Sequence, residues 1–516
     1  VDGTGGPPFT ADLGIAGDTI AAVGQIAAEQ GRQVLDARGL VVSPGFIDIH
    51  SHSDESLLAY PGAESRVRQG ITTELTGNCG SSQAPLAGPG ADQVRKGWRE
   101  YGVEADWTDV ASYAAKVEKT GVAINHALLL GQGTLRENAV GPVDRPLRPE
   151  ELQAVLRAVD QGMQQGAFGL STGLEYTPGR YTPTEEIVDM ARVVARHGGL
   201  YASHVRNEEA GLLEAVDEAL TIGRRTGARV QVSHLKAAGK RHWDMQEAAL
   251  DLLEAARRAG LDARADAYPY TAYSTGLTVY LDGWALDGGT DALMKRLRDP
   301  ADRARIRREV EPRILREPGD YALIVLSDLR TPTNRGLLGL NLVQVAQRWN
   351  TEPVDAVLRL LEEEEGSVGY IGHGMSVENV ERLMAHPLVM VSSDGYSQAP
   401  TGKATESRPH PRSYGTCPRV LAHYVRDRKV LDLPTAIKKM TSLPADQIGL
   451  RGRGRIGRGG QADLVAFDLA GLVDNATFED PQRYPSGIRH VLVGGVPVVR
   501  DEQPTGARPG RMLRRG

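Results

Sequence analysis

Cysteine is scarce in this chain of 516 residues, which contains only Cys79 and Cys417. Two thiols cannot build a disulfide framework, and the count suits a reducing cytoplasm, the expected compartment. Long apolar runs are also missing. The apolar stretches are strand-sized, well short of the roughly 20 residues a membrane helix needs. The N-terminus shows no basic segment leading into an apolar core, so no signal peptide is expected. The chain opens on Val1 rather than Met, and a few upstream residues are expected to be missing. Basic runs are absent too, and the formal net charge is −6, which argues against nucleic acid or an anionic membrane as partners. A last absence is local: no lysine lies between Lys119 and Lys236. What remains is an ordinary globular balance, 41% hydrophobic and 24% charged, at a length that suits a barrel with an attached domain.

The two ends of the chain read as strands. Leu13-Gly14-Ile15, a Gly17-Asp18 turn and Ile20 to Val23 form one hairpin signal, with a further strand at Gln33-Val34-Leu35. Near the other end, Ala462 to Phe467 is an apolar strand, and His490 to Val493 with Val496 to Val499 flank a Gly494-Gly495 turn. Residues 1–43 and 452–516 are therefore expected to form one small β domain, a sandwich built from both termini, around a central unit at 44–451.

That central unit alternates strand and helix. Thr182-Pro183-Thr184-Glu185 reads as a capping box, Ile187, Met190, Ala191, Val194 and Ala195 share one helical face, and Gly198-Gly199 ends it. Helices at 208–225 and 244–259 follow, each closed by glycine and each leading to a short apolar strand. Such units demand parallel strands with right-handed crossovers. Eight candidate strands, near 45–52, 71–79, 122–131, 167–175, 200–205, 229–235, 262–268 and 388–394, predict an α/β fold, a (β/α)8 TIM-like barrel. The stretch 276–385 is too long for one connection and predicts an insertion between the seventh and eighth strands that covers the barrel mouth.

Metal-type side chains gather at the C-terminal ends of these strands. His50 and His52 end the first, Cys79 the second, His204 the fifth, His234 the sixth and Asp394 the eighth. Barrel enzymes carry their catalytic groups at that end, and residues two apart on a strand point the same way, so His50 and His52 can reach one ion. Imidazole and thiolate are ligands that zinc prefers, and Asp394 adds an oxygen. A lone His or Cys at a strand end is usually structural, and His126, His373 and His410 are read that way here. Six convergent ligands are harder to explain so.

Pro44-Gly45-Phe46-Ile47-Asp48-Ile49-His50-Ser51-His52 resembles the first-strand signature of the amidohydrolase superfamily. Gly77-Asn78-Cys79-Gly80, Ser203-His204-Val205-Arg206, Ser233-His234-Leu235-Lys236, Asp266-Ala267-Tyr268-Pro269-Tyr270 and Ser392-Ser393-Asp394-Gly395 resemble its N-acyl-D-amino-acid deacylase (D-aminoacylase) branch. The resemblance spans about residues 2 to 500. It implies a tight zinc on Cys79, His204 and His234, with a weaker or optional second metal on His50, His52 and Asp394. Many binuclear barrel hydrolases bridge their metals with a carboxylated lysine on the fourth strand. The lysine gap leaves no such candidate, and Cys79 is the substitute anionic ligand. Glu175 is read as either metal-bridging, orienting, or an ordinary loop carboxylate.

The implied reaction is hydrolysis of the amide of an N-acyl-D-amino acid, a small molecule with a free carboxylate. Asp394 takes a proton from water and passes it to the leaving nitrogen. Lys236, Tyr268, Ser274 and Arg412 match the branch's substrate-binding positions, with Lys236 two residues from His234 on the same side of its strand. The preference for D-residues comes from the resemblance alone. No cation pair in the 395–412 loop suggests an acidic side chain, which favours a neutral one. A cyclic-amide hydrolase of the dihydropyrimidinase or dihydroorotase kind, and a dipeptidase acting on peptides with a C-terminal D-residue, stay as alternatives. The oligomeric state is not read from the sequence.

Overall fold

The computed structural model describes residues 1–515. Eight strands form one parallel sheet in the order of the chain: β1 (Phe46–Asp48), β2 (Ile71–Thr76), β3 (Asn125–Gly131), β4 (Gly169–Gly173), β5 (Leu200–His204), β6 (Arg229–Val232), β7 (Ala263–Ala267) and β8 (Val389–Val391). β7 pairs with β8, and the ring closes just beyond the strand ends. There Ser51 bridges Gly395 in parallel, the Asp394 N–H donates to the His50 carbonyl at 2.8 Å, and the His52 N–H donates to that of Gly395 at 2.9 Å. The closing seam is thus made by the residues between and beside the candidate ligands.

Every residue of β2, β3, β4 and β5 is buried, as expected for strands covered on both faces. Ile49, Leu75, Ala127, Leu129, Phe168, Leu200, Ala202 and Met390 pack together inside the ring, so the barrel has a filled core rather than a pore. Helices Thr184–Arg196, Leu212–Thr226 and Met245–Arg258 cover the outside, their apolar faces turned inward. Gly227 ends the second of these in the left-handed conformation, φ 75°.

Two expectations about local structure do not hold. Gln33-Val34-Leu35 pairs with nothing; Val34 is 68% exposed, and the N-terminal contribution to the terminal sheet is Val41–Pro44 instead. The capping box at Thr182 does not form either. Its hydroxyl accepts from Gln132 Nε2 at 2.8 Å, the helix begins at Thr184, and Glu185 pairs with Arg225 on the next helix at 2.7 Å. A tertiary partner outcompetes the local cap.

Val41–Pro44 joins Leu464–Phe467, Ile488–Val493, Val496–Arg500 and Gln503–Pro504 in one antiparallel sheet, and the hairpin Asp12–Ala16/Thr19–Gly24 touches it through a bridge from Thr19 to Gln461. The last residues then run along the N-terminal rim of the barrel, where Gly510 donates to Val122 and Leu513 to His126. Between β7 and β8 the insertion builds an antiparallel three-stranded sheet, Tyr273–Gly276, Val368–Gly372 and Ile324–Leu329, backed by helices that include Pro300–Ile314 and Pro353–Glu363. Its first strand leaves directly from the barrel mouth, which brings the insertion's side chains over the strand ends.

Candidate active site

At the ends of β2, β6 and β8 the chain turns sharply through Cys79, His234 and Asp394, with φ values of 51°, 33° and 50°. L-residues adopt this region at a cost of about 1–3 kcal/mol, and it persists only where the surroundings hold it. The surroundings do so here: the His234 N–H donates to Asp266 Oδ1 at 3.0 Å, and Asp394 is tied to His50 through its own N–H. Neighbouring glycines allow close packing. A Cβ on Gly80 (φ +76°) would lie 2.6 Å from the Gly173 nitrogen, and one on Gly77 2.1 Å from the Leu129 oxygen.

The six expected ligands converge. Cys79 Sγ lies 3.3 Å from His50 Nε2 and 3.4 Å from His234 Nε2. His204 Nδ1 is 2.9 Å from His234 Nε2. Asp394 Oδ1 is 3.0 Å from His52 Nε2 and 3.4 Å from His50 Nε2. Two compact groups result, Cys79–His204–His234 and His50–His52–Cys79–Asp394, each with its ligand atoms within 4.8 Å of one another. Cys79 belongs to both groups.

Burial raises the Cys79 thiol, but the charges of His50 and His234 and hydrogen bonds from His204 and His234 hold it well below the usual thiol value. Burial likewise raises Asp394, yet Arg412 and His50 hold its carboxyl well below the ordinary range. Burial lowers His52, and Asp394 and Cys79 outweigh it, raising the imidazole to about 10. The cluster therefore sets a strongly acidified thiol and carboxyl among imidazoles, an electrostatic arrangement suited to a cation. The ligand atoms lie 2.9–3.4 Å apart, close to the edge of about 3.3–3.7 Å of a tetrahedron with zinc bonds of about 2.0–2.3 Å. The donor set fits zinc.

Each substrate-binding candidate sits at the same mouth. A cavity of about 230 Å³ is lined by His204, His234, Asp394, Lys236, Tyr268 and Ser274, with Glu175 on its wall. Tyr268 Oη is buried without a hydrogen-bond partner. Arg412 lies over the Tyr268 ring at 4.8 Å, contacts Asp394 Oδ2 at 2.8 Å, and donates to the Ser274 carbonyl at 3.4 Å. Glu175 Oε2 is 3.1 Å from His204 Nε2, so it is no ordinary loop carboxylate.

Two carboxylates were not picked out from the sequence. Glu208 Oε1 accepts from Lys236 Nζ at 2.6 Å and lies 3.0 Å from His234 Nδ1. It is the anion that a buried lysine demands. Asp266 accepts from Gln231 at 2.6 Å, from Ser392 at 2.7 Å and from the His234 N–H, and lies 3.4 Å from His50 Nδ1. It locks the orientation of two candidate ligands, as carboxylates behind metal-binding imidazoles do. Its signal was available: it stands two residues before Tyr268 and thus faces the same side of β7. Glu208 lies in a loop, and no periodicity reports it.

The description "Amidohydrolase family" matches residues 33–288 and 357–499. The chain is 37% identical over its full length to the N-acyl-D-glutamate deacylase of Alcaligenes xylosoxydans xylosoxydans, of which it covers 95%. The structure of a D-aminoacylase described for its binuclear metal centre, with one-metal activation and second-metal attenuation, superposes with a TM-score of 0.83 at 35% identity, covering 99% of this chain and 97% of that one. The N-acyl-D-glutamate deacylase of Bordetella bronchiseptica, complexed with zinc and a phosphonate mimic of the tetrahedral intermediate, gives 0.84 at 34% identity over the same shares. The converging ligands, the barrel that carries them and these full-length likenesses together make the chain a member of the amidohydrolase family, in its N-acyl-D-amino-acid deacylase branch.

Proposed function

We propose that this protein hydrolyses the amide bond of N-acyl-D-amino acids, releasing a carboxylate and a free D-amino acid, with zinc as its metal. The observation that carries the reading is one cavity lined by His204, His234, Asp394, Lys236 and Tyr268, with Cys79 against His234 and Arg412 against Asp394 just behind its wall. Cys79, His204 and His234 would hold the tight ion; His50, His52 and Asp394, with Cys79 shared, would hold an optional second one. When bound, zinc supplies Lewis acidity toward the amide carbonyl and the attacking water.

The protein's own groups do the rest. Asp394 is ionised and its Oδ1 faces the ligand cluster, so it accepts the proton of the attacking water. The same oxygen then delivers that proton to the amide nitrogen, which leaves as an amine only once protonated. Tyr268 Oη and the Arg412 guanidinium receive the substrate carboxylate, and Lys236, held by Glu208, adds positive charge beside it. The insertion strand at Tyr273–Gly276 walls the cavity and reduces access of bulk water.

A screen of N-acetyl-amino acids as enantiomer pairs tests this directly. D-forms should be cleaved and L-forms left intact; cleavage of hydantoins with no action on the D-forms would support the cyclic-amide alternative instead. Anchoring makes a further prediction. Lys236→Met should lower kcat/KM for N-acetyl-D-leucine about 100-fold, on the order of 3 kcal/mol for a lost charge-assisted contact. The same change should barely alter the slow cleavage of N-acetyl-D-leucinamide, which has no carboxylate. Steady-state kinetics on the two substrates checks it: equal losses on both would assign Lys236 to structure rather than to recognition.

A further inference from the structure

Arg412 starts a helix that follows a loop, and a loop fixes a guanidinium only where something holds its backbone. His410 supplies that hold. It is buried, and both of its ring nitrogens are engaged. The Arg412 N–H donates to Nδ1 at 3.0 Å, and Nε2 lies 2.9 Å from the Ala272 carbonyl. A backbone N–H can only donate and a carbonyl can only accept, so the ring is neutral with its proton on Nε2. Burial and the adjacent Arg412 charge hold the imidazole well below its ordinary value, in keeping with that state. Neither nitrogen is left for a metal, which agrees with the structural reading of His410 in the sequence.

The ring is wedged as well as bonded. Tyr270 meets it edge-on with centroids 5.1 Å apart, and so does Phe478, which comes from the segment between two strands of the terminal sheet. Arg419 lies over the Tyr270 ring at 4.8 Å, and Tyr270 Oη donates to Asp474 at 3.3 Å. A Cβ on Gly415 would fall 2.0 Å from Asp474 Oδ1, so the helix that begins at Arg412 packs closely on the same segment. Two rungs then tie the Arg412 loop to the start of the insertion: His410 Nε2–H to the Ala272 carbonyl, and the Arg412 guanidinium to the Ser274 carbonyl at 3.4 Å. Both ends of the arginine, backbone and guanidinium, are thereby referred to one short stretch of chain.

We propose that His410 is a positioning residue for Arg412, holding in place the guanidinium that receives the substrate carboxylate. The proposal rests on the deacylase reading above and deepens it. His410→Phe keeps a ring among Tyr270 and Phe478 but leaves the Arg412 N–H and the Ala272 carbonyl unpaired, whereas His410→Asn keeps an acceptor near the position of Nδ1. For N-acetyl-D-leucine, kcat/KM should fall about 30-fold in the Phe variant and about fivefold in the Asn variant, chiefly through KM. N-acetyl-D-leucinamide, which offers Arg412 no carboxylate, should lose less than about threefold in either. In an Arg412→Met background, adding His410→Phe should cost less than about threefold on N-acetyl-D-leucine, because the two residues act as one unit. Circular dichroism establishes that each variant is folded; should His410→Phe not fold, the Asn variant carries the same substrate comparison. Equal losses on the two substrates, an unmoved KM for N-acetyl-D-leucine, or His410 and Arg412 effects that multiply would overturn the positioning role while the deacylase reading stands. If the native enzyme leaves N-acetyl-D-leucine intact, both fail together.

Discussion

Asp394→Asn is expected to lower kcat by about 10³-fold, within the range of about 10²–10⁴ that general acid–base groups contribute. Asparagine keeps the shape of the side chain and the positive φ of 50° at that position, but it can neither take the proton of water nor return it to the leaving nitrogen. It also removes the charge that meets Arg412 at 2.8 Å, so Arg412 becomes freer to grip the substrate and KM should stay level or fall. The outcome to look for is a loss in kcat with tight zinc retained, because Cys79, His204 and His234 are untouched. His52→Ala gives the contrast. His52 belongs only to the group that would hold the second ion, so its loss should leave activity within about tenfold of native. Kinetics and metal analysis on the two variants check the pair, and a His52 variant as dead as the Asp394 variant would contradict the division of roles.

Cys79→Ala carries the second large effect. Its sulfur lies 3.3 Å from His50 and 3.4 Å from His234 and is common to both ligand groups, so one substitution would open both proposed ion positions. It also removes the thiolate that offsets the cations crowded there. Losing an orienting partner behind a ligand typically costs about 10–100-fold in metal affinity, and losing the shared ligand itself should cost more than that. The variant is expected to emerge from purification with less than about a tenth of an equivalent of zinc and no measurable deacylation. Cys79→Asp, which restores an anionic ligand with a shorter reach, should recover part of the zinc.

Much of this centre was legible before any coordinates. The eight strand–helix units write a repeating period, and a side chain at a strand end inherits its position from that period; the convergence of His50, His52, Cys79, His204, His234 and Asp394 at the barrel mouth is legible this way. The resemblance put Cys79 in the place of a bridging lysine, but its distance from His50 depends on how the ring closes, which no local pattern records. Glu208 and the Arg412–Asp394 contact join segments remote in sequence, and local patterns carry no record of such pairings. The insertion illustrates the same limit. Its existence followed from length, but Tyr273–Gly276 pairs with Val368–Gly372 across nearly a hundred residues, and that pairing puts Tyr273, Tyr370 and Glu317 on one cavity wall. The lost cap at Thr182 and the unformed strand at 33–35 show the reverse case, local signals overruled by a tertiary partner or by the lack of one.

The central claim is that one ion on Cys79, His204 and His234 is enough for catalysis. Titration of zinc into chelator-stripped enzyme, with bound metal and N-acetyl-D-amino-acid hydrolysis read on the same samples, tests it most directly. Activity should rise linearly to a maximum near one equivalent and then level off or decline as the His50–His52–Asp394 position fills. Activity that stays absent until two equivalents are bound, or full activity in the stripped protein, would contradict the account.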